Sequence, residues 1–251
     1  MPKPKQLTVA EAQRLNTDIN ELKIDGFSSE WEGNDLISSA RGIVRTDRFG
    51  HIVSDLKNID ALVEGEVAIP GGNVTQVSAS VNWPKAKMYI YRVLEYKGKD
   101  VSGYDPSQMR RVIDEILRPR FDHLRSPMFF ESFKKGWDFV CKTRSKGYYA
   151  EGLVLKDVNG REFKVKFMVE EKLEITGHEG GSVKGSFIVD RNGIPNKVSA
   201  LSVGHIADWQ KLVQAGLTPY MEVEYLFLTE AGKMFQPRLR AIGTLADLKA
   251  A

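Results

Sequence analysis

The sequence contains almost none of the residues that crosslinked or zinc-stapled small scaffolds require. Cys141 is the single cysteine among 251 residues, so one chain can form neither a disulfide framework nor a zinc cluster of cysteines. No run approaches the roughly 18 apolar residues of a membrane span, and the first residues lack the apolar core of a signal peptide. We therefore expect a cytoplasmic protein with no membrane partner.

Neither sign of charge dominates the whole chain. The formal net charge is +3, with 42% hydrophobic and 27% charged residues, a balance typical of a globular chain that buries a core in one large or two unequal domains. Basic residues concentrate between Ser107 and Lys146, where two adjacent pairs occur: Arg110 with Arg111, and Lys134 with Lys135. Such a segment could follow nucleic-acid phosphates, although solvated helix surfaces are the commoner explanation.

Local patterns predict a mixed fold without internal repeats. Thr8 followed by Glu11 is a capping-box signature, and Asp105-Pro106 suits the start of a helix that Pro119 prevents from continuing. The predicted helices cover 7–19, 106–117, 129–145 and about 207–215. Alternating patterns predict a hairpin over 21–39, interrupted at 32–35, and further strands at 61–69, 87–95, 151–156 and 162–168.

The pattern changes after Met168. Short alternating segments are separated by turns at Gly180-Gly181, Asn192-Gly193 and Ala231-Gly232, which is typical of a small β-barrel. The predicted fold class is therefore α+β. A domain of antiparallel sheets with helices covers 1–170, and a smaller, mostly β domain covers 171–251.

Lys23 lies in a Lys-x-Asp-Gly motif at the end of a predicted strand. On a strand, Glu21, Lys23 and Asp25 would share one face, which places two carboxylates beside an amine. Alone this motif is a weak signal, because similar turns occur by chance. It is followed, however, by a series of acidic, aromatic and basic residues on predicted strands: Glu66, Tyr91, Glu151, Lys156, Lys164 and Lys166.

This series resembles the covalent nucleotidyltransferase superfamily of DNA ligases, RNA ligases and mRNA capping enzymes. The similarity covers nearly the whole chain, and its most specific part is Glu-Gly-Leu-Val-Leu-Lys at 151–156 followed by a Lys-x-Lys strand. The chain is most similar to small phage ATP-dependent DNA ligases, whose OB-fold follows that strand directly. Residues 222–242 are similar to the closing strands of such an OB-fold. The resemblance implies an adenylation domain over 1–170 and an OB-fold β-barrel over 171–251.

The resemblance implies a monomeric enzyme that uses ATP and Mg²⁺, carries AMP on Lys23 and seals nicks in duplex DNA. Lys166 and Lys164 would assist at the α-phosphate, Glu66 and Glu151 would hold the metal, and Tyr91 would stack on adenine. Glu21 would accept a hydrogen bond from the adenine amino group. The implied nucleotide-site residues are Glu21, Lys23, Asp25, Arg41, Glu66, Tyr91, Glu151, Lys164 and Lys166.

The nucleophile imposes an electrostatic requirement. A free lysine is protonated at neutral pH, so its pKa must fall before the amine can attack phosphorus. Nearby cations disfavour the ammonium form. We therefore expect Lys164, Lys166 and a bound Mg²⁺ to lower the pKa of Lys23.

The sequence also departs from the ligase pattern. Ser28 occupies the position where ligases of this group usually have an arginine that contacts the nick phosphate; Arg41 is the preferred replacement over Arg48. The C-terminal basic motif that orients pyrophosphate in ligases is degenerate here, which leaves Arg238 and Arg240 as candidates for that role. Two alternatives stay open: an RNA ligase, whose core is nearly the same, and a nucleic-acid-binding OB-fold module with an inactive cleft.

Overall fold

The computed structural model describes residues 4–17, 19–39, 42–157, 159–181, 185–199 and 202–250. Within these ranges, none of the helices combines the length and apolar character of a membrane span. The chain divides into two compact units, Met1–Phe167 and Met168–Ala251.

The first unit alternates short strands with helices. In chain order its elements are β1 (Lys5–Gln6), α1 (Val9–Gln13), β2 (Ile19–Leu22), β3 (Phe27–Trp31), β4 (Leu36–Ser38), β5 (Ile43–Val44), α2 (Gly50–Leu56), β6 (Ala61–Ala68), α3 (Val74–Ser78), β7 (Lys87–Tyr96), β8 (Lys99–Asp100), α4 (Pro106–Leu117), β9 (Leu124–Arg125), β10 (Phe129–Phe130), α5 (Phe133–Ser145), β11 (Gly152–Lys156) and β12 (Glu162–Lys166).

These strands form two sheets, each with its own core. The first has the order β1-β12-β11-β2-β10, and the second β5-β4-β3-β6-β7-β8, with β9 added beside β7. Pairing is antiparallel apart from β1 with β12 and β7 with β9. Trp31, Phe49 and Met88 lie in the core of the second sheet, while α5 packs Phe133 and Val140 on the first. The predicted antiparallel α+β architecture of this unit is confirmed.

Local capping signals decide where several helices begin. Thr8 and Glu11 form the predicted capping box, as do Asp105 and Gln108 at the start of α4. The predicted helix over 7–19 nevertheless ends at Gln13. The Thr17 hydroxyl donates to the Asn20 side chain at 2.8 Å, a local bond of the kind that competes with helical backbone pairing.

A short segment ties the two sheets of the first unit together. β9 pairs with β7 in the second sheet, and β10 pairs with β2 in the first, placing Phe129 opposite Glu21. The prediction of a helix from Phe129 is therefore wrong. The helix α5 begins at Phe133 because the Ser132 hydroxyl accepts a hydrogen bond from the Lys135 amide and caps it.

The second unit consists of strands with two helices. Its elements are β13 (Val169–Gly180), β14 (Gly185–Arg191), β15 (Ile194–Ser199), α6 (Val203–Gln214), β16 (Tyr220–Tyr225), β17 (Phe227–Leu228), β18 (Met234–Phe235), β19 (Arg238–Gly243) and α7 (Leu245–Ala250).

Five of these strands form an antiparallel sheet with the order β15-β14-β13-β16-β19, and β17 pairs separately with β18. The core contains Phe187, Val189, Val223 and Leu239. Among the described residues no hydrogen-bonded pairing joins β15 to β19, so a closed barrel is not confirmed and the OB-fold stays a prediction.

Candidate active site

A cavity of about 540 Å³ lies in the first unit, with walls from both sheets. Glu21 and Lys23 line it from the first sheet, Glu66 and Tyr91 from the second, and Pro127 from the segment that joins them. Its volume falls within the range of small-molecule and cofactor sites. The cavity therefore brings together residues that are widely separated in the sequence.

A single buried carboxylate, Glu151, holds two lysines, of which Lys23 lines this cavity. The Lys23 Nζ lies 2.6 Å from Oε2 of Glu151, and the Lys166 Nζ lies 2.8 Å from Oε1 of the same residue. The Glu151 side chain is only 2% exposed. The Lys23 amide also donates to the Gly152 carbonyl at 2.9 Å, which continues the register of β2 beside β11. Lys23, Glu151 and Lys166 thus form one charged cluster.

The electrostatic environment of Lys23 differs from the expectation. Burial acts to lower its pKa, but Glu151, together with Glu66 and Asp25, outweighs burial and raises the pKa. In the chain by itself the pKa is thus raised, because the groups that act most on Lys23 are carboxylates, and the lowering expected with bound Mg²⁺ stays a prediction. Lys23 is an ammonium in this arrangement, and its activation requires that the influence of Glu151 be reduced.

Asp25 and Glu66 hold the Lys-x-Asp-Gly loop in place. Oδ2 of Asp25 accepts hydrogen bonds from the Val74 amide at 3.1 Å and the Tyr149 hydroxyl at 2.8 Å. Oε1 of Glu66 accepts from the Gly26 amide at 3.1 Å. Burial raises the pKa of Asp25 and raises that of Glu66 to about 7. Tyr149, which the sequence analysis did not identify, belongs to this anchoring network.

Two glycines allow the backbones at the site to approach closely. A Cβ atom at position 26 would lie 2.2 Å from the Val67 carbonyl oxygen, and one at 152 would lie 1.9 Å from that of Val165. Gly152 also has φ +146°, a conformation that side chains disfavour. These positions require glycine because β12 and β6 pass directly beside them.

Tyr91 lines the cavity as predicted, and its hydroxyl has a partner. Ser28 Oγ lies 3.2 Å from the Tyr91 hydroxyl oxygen. Burial raises the pKa of Tyr91 to about 12. Ser28, which stands where the resemblance implied an arginine, therefore lines the same cavity and contacts the predicted stacking residue.

Glu21 is held between two cations. Its Oε2 lies 3.2 Å from the Lys156 Nζ, and its Oε1 lies 3.6 Å from Nη1 of Arg110. Lys156 lies in the Glu-Gly-Leu-Val-Leu-Lys motif, from which no role was predicted for it, and both Val154 and Lys156 line the cavity. The two-residue spacing of a strand was the signal that could have identified it.

The other residues predicted for the nucleotide site and the nick phosphate lie on β12 or, in the sequence, near β5. Lys164 and Lys166 are two apart on β12, and Lys164 pairs with Val154, whose side chain lines the cavity. Arg41 lies outside the described residues. Arg48 places its guanidinium 5.1 Å from the centre of the Trp83 ring.

Of the predicted nucleic-acid-binding residues, three are surface residues. Arg111 is exposed. Lys134 forms an ion pair with Asp138 at 2.7 Å, and Lys135 forms one with Glu131. Arg110 differs, since it contacts Glu21 at the cavity. The structure therefore does not place the four side chains in one common environment.

No protein-family model and no curated protein matches this chain. Solved structures do. A Lig E DNA ligase, described as binding DNA with a minimal scaffold, is 16% identical with a TM-score of 0.69, covering 97% of this chain and 100% of its own. Pmar-Lig_Pre is 14% identical with a TM-score of 0.69, and the match covers 95% of this chain and 67% of Pmar-Lig_Pre. The ligase domain of M. tuberculosis LigD is 14% identical with a TM-score of 0.51, and the match covers 96% of this chain and 94% of that domain.

The fold is that of DNA ligases. The resemblance inferred from the sequence is confirmed at this level, and the roles of individual residues stay predictions. Glu66 and Glu151 are the two carboxylates expected to hold a metal in this ligase fold. Both raise the pKa of Lys23. Glu66 is a half-buried carboxylate that accepts a hydrogen bond from the Gly26 amide. Oxygen donors of this kind suit Mg²⁺, which usually takes one or two carboxylates and keeps several waters, so the residues present fit that ion.

In the second unit of the ligase fold, a buried carboxylate contacts both arginines of the degenerate C-terminal motif. Arg238 Nη1 lies 3.8 Å from Glu224 Oε1, and Arg240 forms an ion pair with Oε2. The Glu224 side chain is 2% exposed, whereas both arginines are exposed. The arginines therefore share one anchor on the surface of this unit.

Proposed function

We propose that this protein is an ATP-dependent DNA ligase that forms a lysyl-AMP intermediate at Lys23 and seals 5′-phosphate/3′-hydroxyl nicks in duplex DNA. The observation that supports this most is the cluster in which Lys23 and Lys166 share the buried Glu151 at the edge of a nucleotide-sized cavity. It occurs within a fold shared with DNA ligases.

In the first step the Lys23 nitrogen forms a bond to the α-phosphorus of ATP. The bond from that phosphorus to the bridging β-phosphate oxygen breaks, and pyrophosphate leaves with the bonding electrons. Protons lost from the amine pass to solvent, to which the Lys23 side chain is 22% exposed. An oxygen of the nick 5′-phosphate next attacks the phosphorus of lysyl-AMP, and the N–P bond breaks and returns the amine of Lys23. The 3′-hydroxyl then attacks the 5′-phosphate, its proton passes to solvent, and the bond from that phosphate to AMP breaks and releases AMP.

Lys166 and Lys164 neutralise the negative charge that develops on the α-phosphate. Glu66 and Glu151 would hold Mg²⁺, which would supply positive charge beside the phosphates. Within the chain, Glu151 does most to raise the pKa of Lys23, so neutralising that carboxylate would make Lys23 a better nucleophile.

Adenine is held by Tyr91 and Glu21. The ring of Tyr91 stacks on the base, and the Glu21 carboxylate accepts a hydrogen bond from its amino group. Asp25 keeps the lysine loop in place through Val74 and Tyr149. Ligases usually have an arginine at the position of Ser28 that contacts the nick 5′-phosphate. We propose that Arg41 makes this contact here.

DNA is bound by surface residues of both units. In the first unit we propose that Arg111, Lys134 and Lys135 contact phosphates. We assign the second unit to the OB-fold, and its strand order and the position of α6 between β15 and β16 support this assignment. Arg238 and Arg240 provide local positive charge on it.

The proposal is tested by mixing the protein with α-labelled ATP and Mg²⁺, denaturing it, and measuring label on the protein. We expect a heat-stable label that is discharged when nicked DNA is added, with sealing of the nick. Protein that takes no label contradicts the proposal and favours a binding module. Parallel nicks in DNA, RNA and mixed strands separate the activities, and sealing of RNA alone indicates an RNA ligase.

A further inference from the structure

Arg110 differs from Lys134 and Lys135, which were predicted with it to bind nucleic acid, in what its side chain contacts. Lys134 and Lys135 are 83% and 64% exposed and pair with acids on their own helix or just before it. Arg110 is 24% exposed, and its Nη1 donates to the Pro127 carbonyl at 3.3 Å. Its guanidinium therefore reaches from α4 to the wall of the cavity rather than into solvent.

The carboxylate that Arg110 reaches is buried and has a second cation. The Glu21 side chain is 5% exposed, with Arg110 at 3.6 Å from one oxygen and Lys156 at 3.2 Å from the other. Lys156 also donates to the Tyr91 carbonyl at 3.3 Å. Two cations thus fix both oxygens of Glu21, and one of them is bonded to the backbone of the residue expected to stack on the base.

We propose that Arg110 is a positioning residue of the nucleotide site, which acts through Glu21 to select a base with an amino group over one with an oxo group at the same place. This inference rests on the proposed function. An ionised carboxylate only accepts hydrogen bonds, so Glu21 can pair with the amino group of a base. A base with an oxo group there would place two acceptors face to face, and binding sites discriminate strongly against such an unpaired contact. The selectivity depends on Glu21 keeping its orientation, and Arg110 and Lys156 supply that constraint.

The same contacts reduce what Arg110 can contribute to DNA binding. Its Nε also lies 3.0 Å from Asp114, so its charge is shared with two carboxylates. A phosphate contact would have to displace one of them. Arg110 is therefore assigned to the nucleotide site, and Arg111 stays the DNA-facing member of the pair.

The test compares Arg110→Gln, Arg110→Lys and Arg118→Gln, the last an exposed arginine eight residues further along at the end of α4. Label transfer to the full chain is measured over a range of ATP and GTP concentrations, giving KM and kcat separately. Arg110→Gln should raise KM for ATP about threefold to tenfold, as expected when one charged contact is lost, and lower the preference for ATP over GTP. Arg110→Lys should restore most of the ATP affinity and most of the preference for ATP over GTP. Arg118→Gln should change neither KM nor this preference.

Other outcomes overturn the inference in distinct ways. If Arg110→Gln keeps wild-type KM and selectivity but weakens nick binding and lowers its salt slope by about one, Arg110 faces DNA. If kcat falls equally for both nucleotides and lysine does not restore it, the residue only supports the fold. Wild-type protein that takes no label from either nucleotide refutes the proposed function, whereas a labelled wild type with an unaffected Arg110→Gln refutes this inference alone.

Discussion

Replacing Lys23 by alanine separates the chemistry of the lysine from its part in stability. Breaking a buried ion pair by removing one partner typically costs about 3–5 kcal/mol. Here Glu151 keeps Lys166 at 2.8 Å from its other oxygen, and Lys23 is 22% exposed. We therefore expect a smaller loss, about 1–2 kcal/mol, or a fall in Tm of roughly 2–8 °C for a chain of this size. The variant should fold.

Although folded, Lys23→Ala should take up no AMP, because no other amine is placed to attack the α-phosphorus. It should still seal a nick supplied with a pre-adenylated 5′ end. Lys99→Ala, which removes an exposed lysine of β8, is the control and should label normally. AMP uptake by Lys23→Ala at the control rate would show that Lys23 is not the nucleophile, and loss of folding would show that Lys166 does not stabilise Glu151 as argued.

Three further changes test separate parts of the site. Tyr91→Ala should weaken ATP binding by about 1–3 kcal/mol, the range of a stacking contact. Tyr91→Phe loses only the hydroxyl contact with Ser28 and should leave KM for ATP nearly unchanged. Equal effects of the two substitutions on KM would contradict stacking. Gly152→Ala should destabilise the first unit by about 2–5 kcal/mol in denaturant unfolding, from backbone strain and overpacking, so wild-type stability would refute the close approach of β11 and β12. Reversing Lys134 and Lys135 to glutamate should weaken nick binding and its salt dependence without altering AMP transfer; unchanged binding would leave these residues as solvated surface.

Much of the first unit was predictable because its signals are local. The strands β6 and β7, the helix α4 and the capping box at Thr8 follow from periodicity and capping within a few residues. Tertiary pairing overrode such signals at Phe129, which a helical pattern included but which pairs with Glu21 on β2. The cavity contains Glu21, Lys23, Glu66 and Tyr91 as the resemblance implied.

What could not be predicted was how the charges are shared. Neither periodicity nor motif spacing indicates that Glu151 holds two lysines or that Arg110 ends at Glu21. These contacts depend on side chains from different elements meeting across the sheets. For the same reason the sequence could not show that carboxylates raise the pKa of Lys23 in the chain by itself, since motif spacing suggested neighbouring cations and the fold brings carboxylates close.

The short connection between β9 and β10 limits how wide the cleft can become. Only residues 126–128 separate Arg125, paired with the second sheet, from Phe129, paired with the first. Four backbone steps extend to at most about 14 Å, and Met128 is further fixed by its carbonyl, which accepts from the Leu22 amide at 2.8 Å. The two walls therefore cannot separate at this point without breaking strand pairing. The length of this connection sets an upper limit on the thickness of any ligand held between the sheets beside Pro127, and inserted residues here would relax that limit without changing any side chain of the cavity.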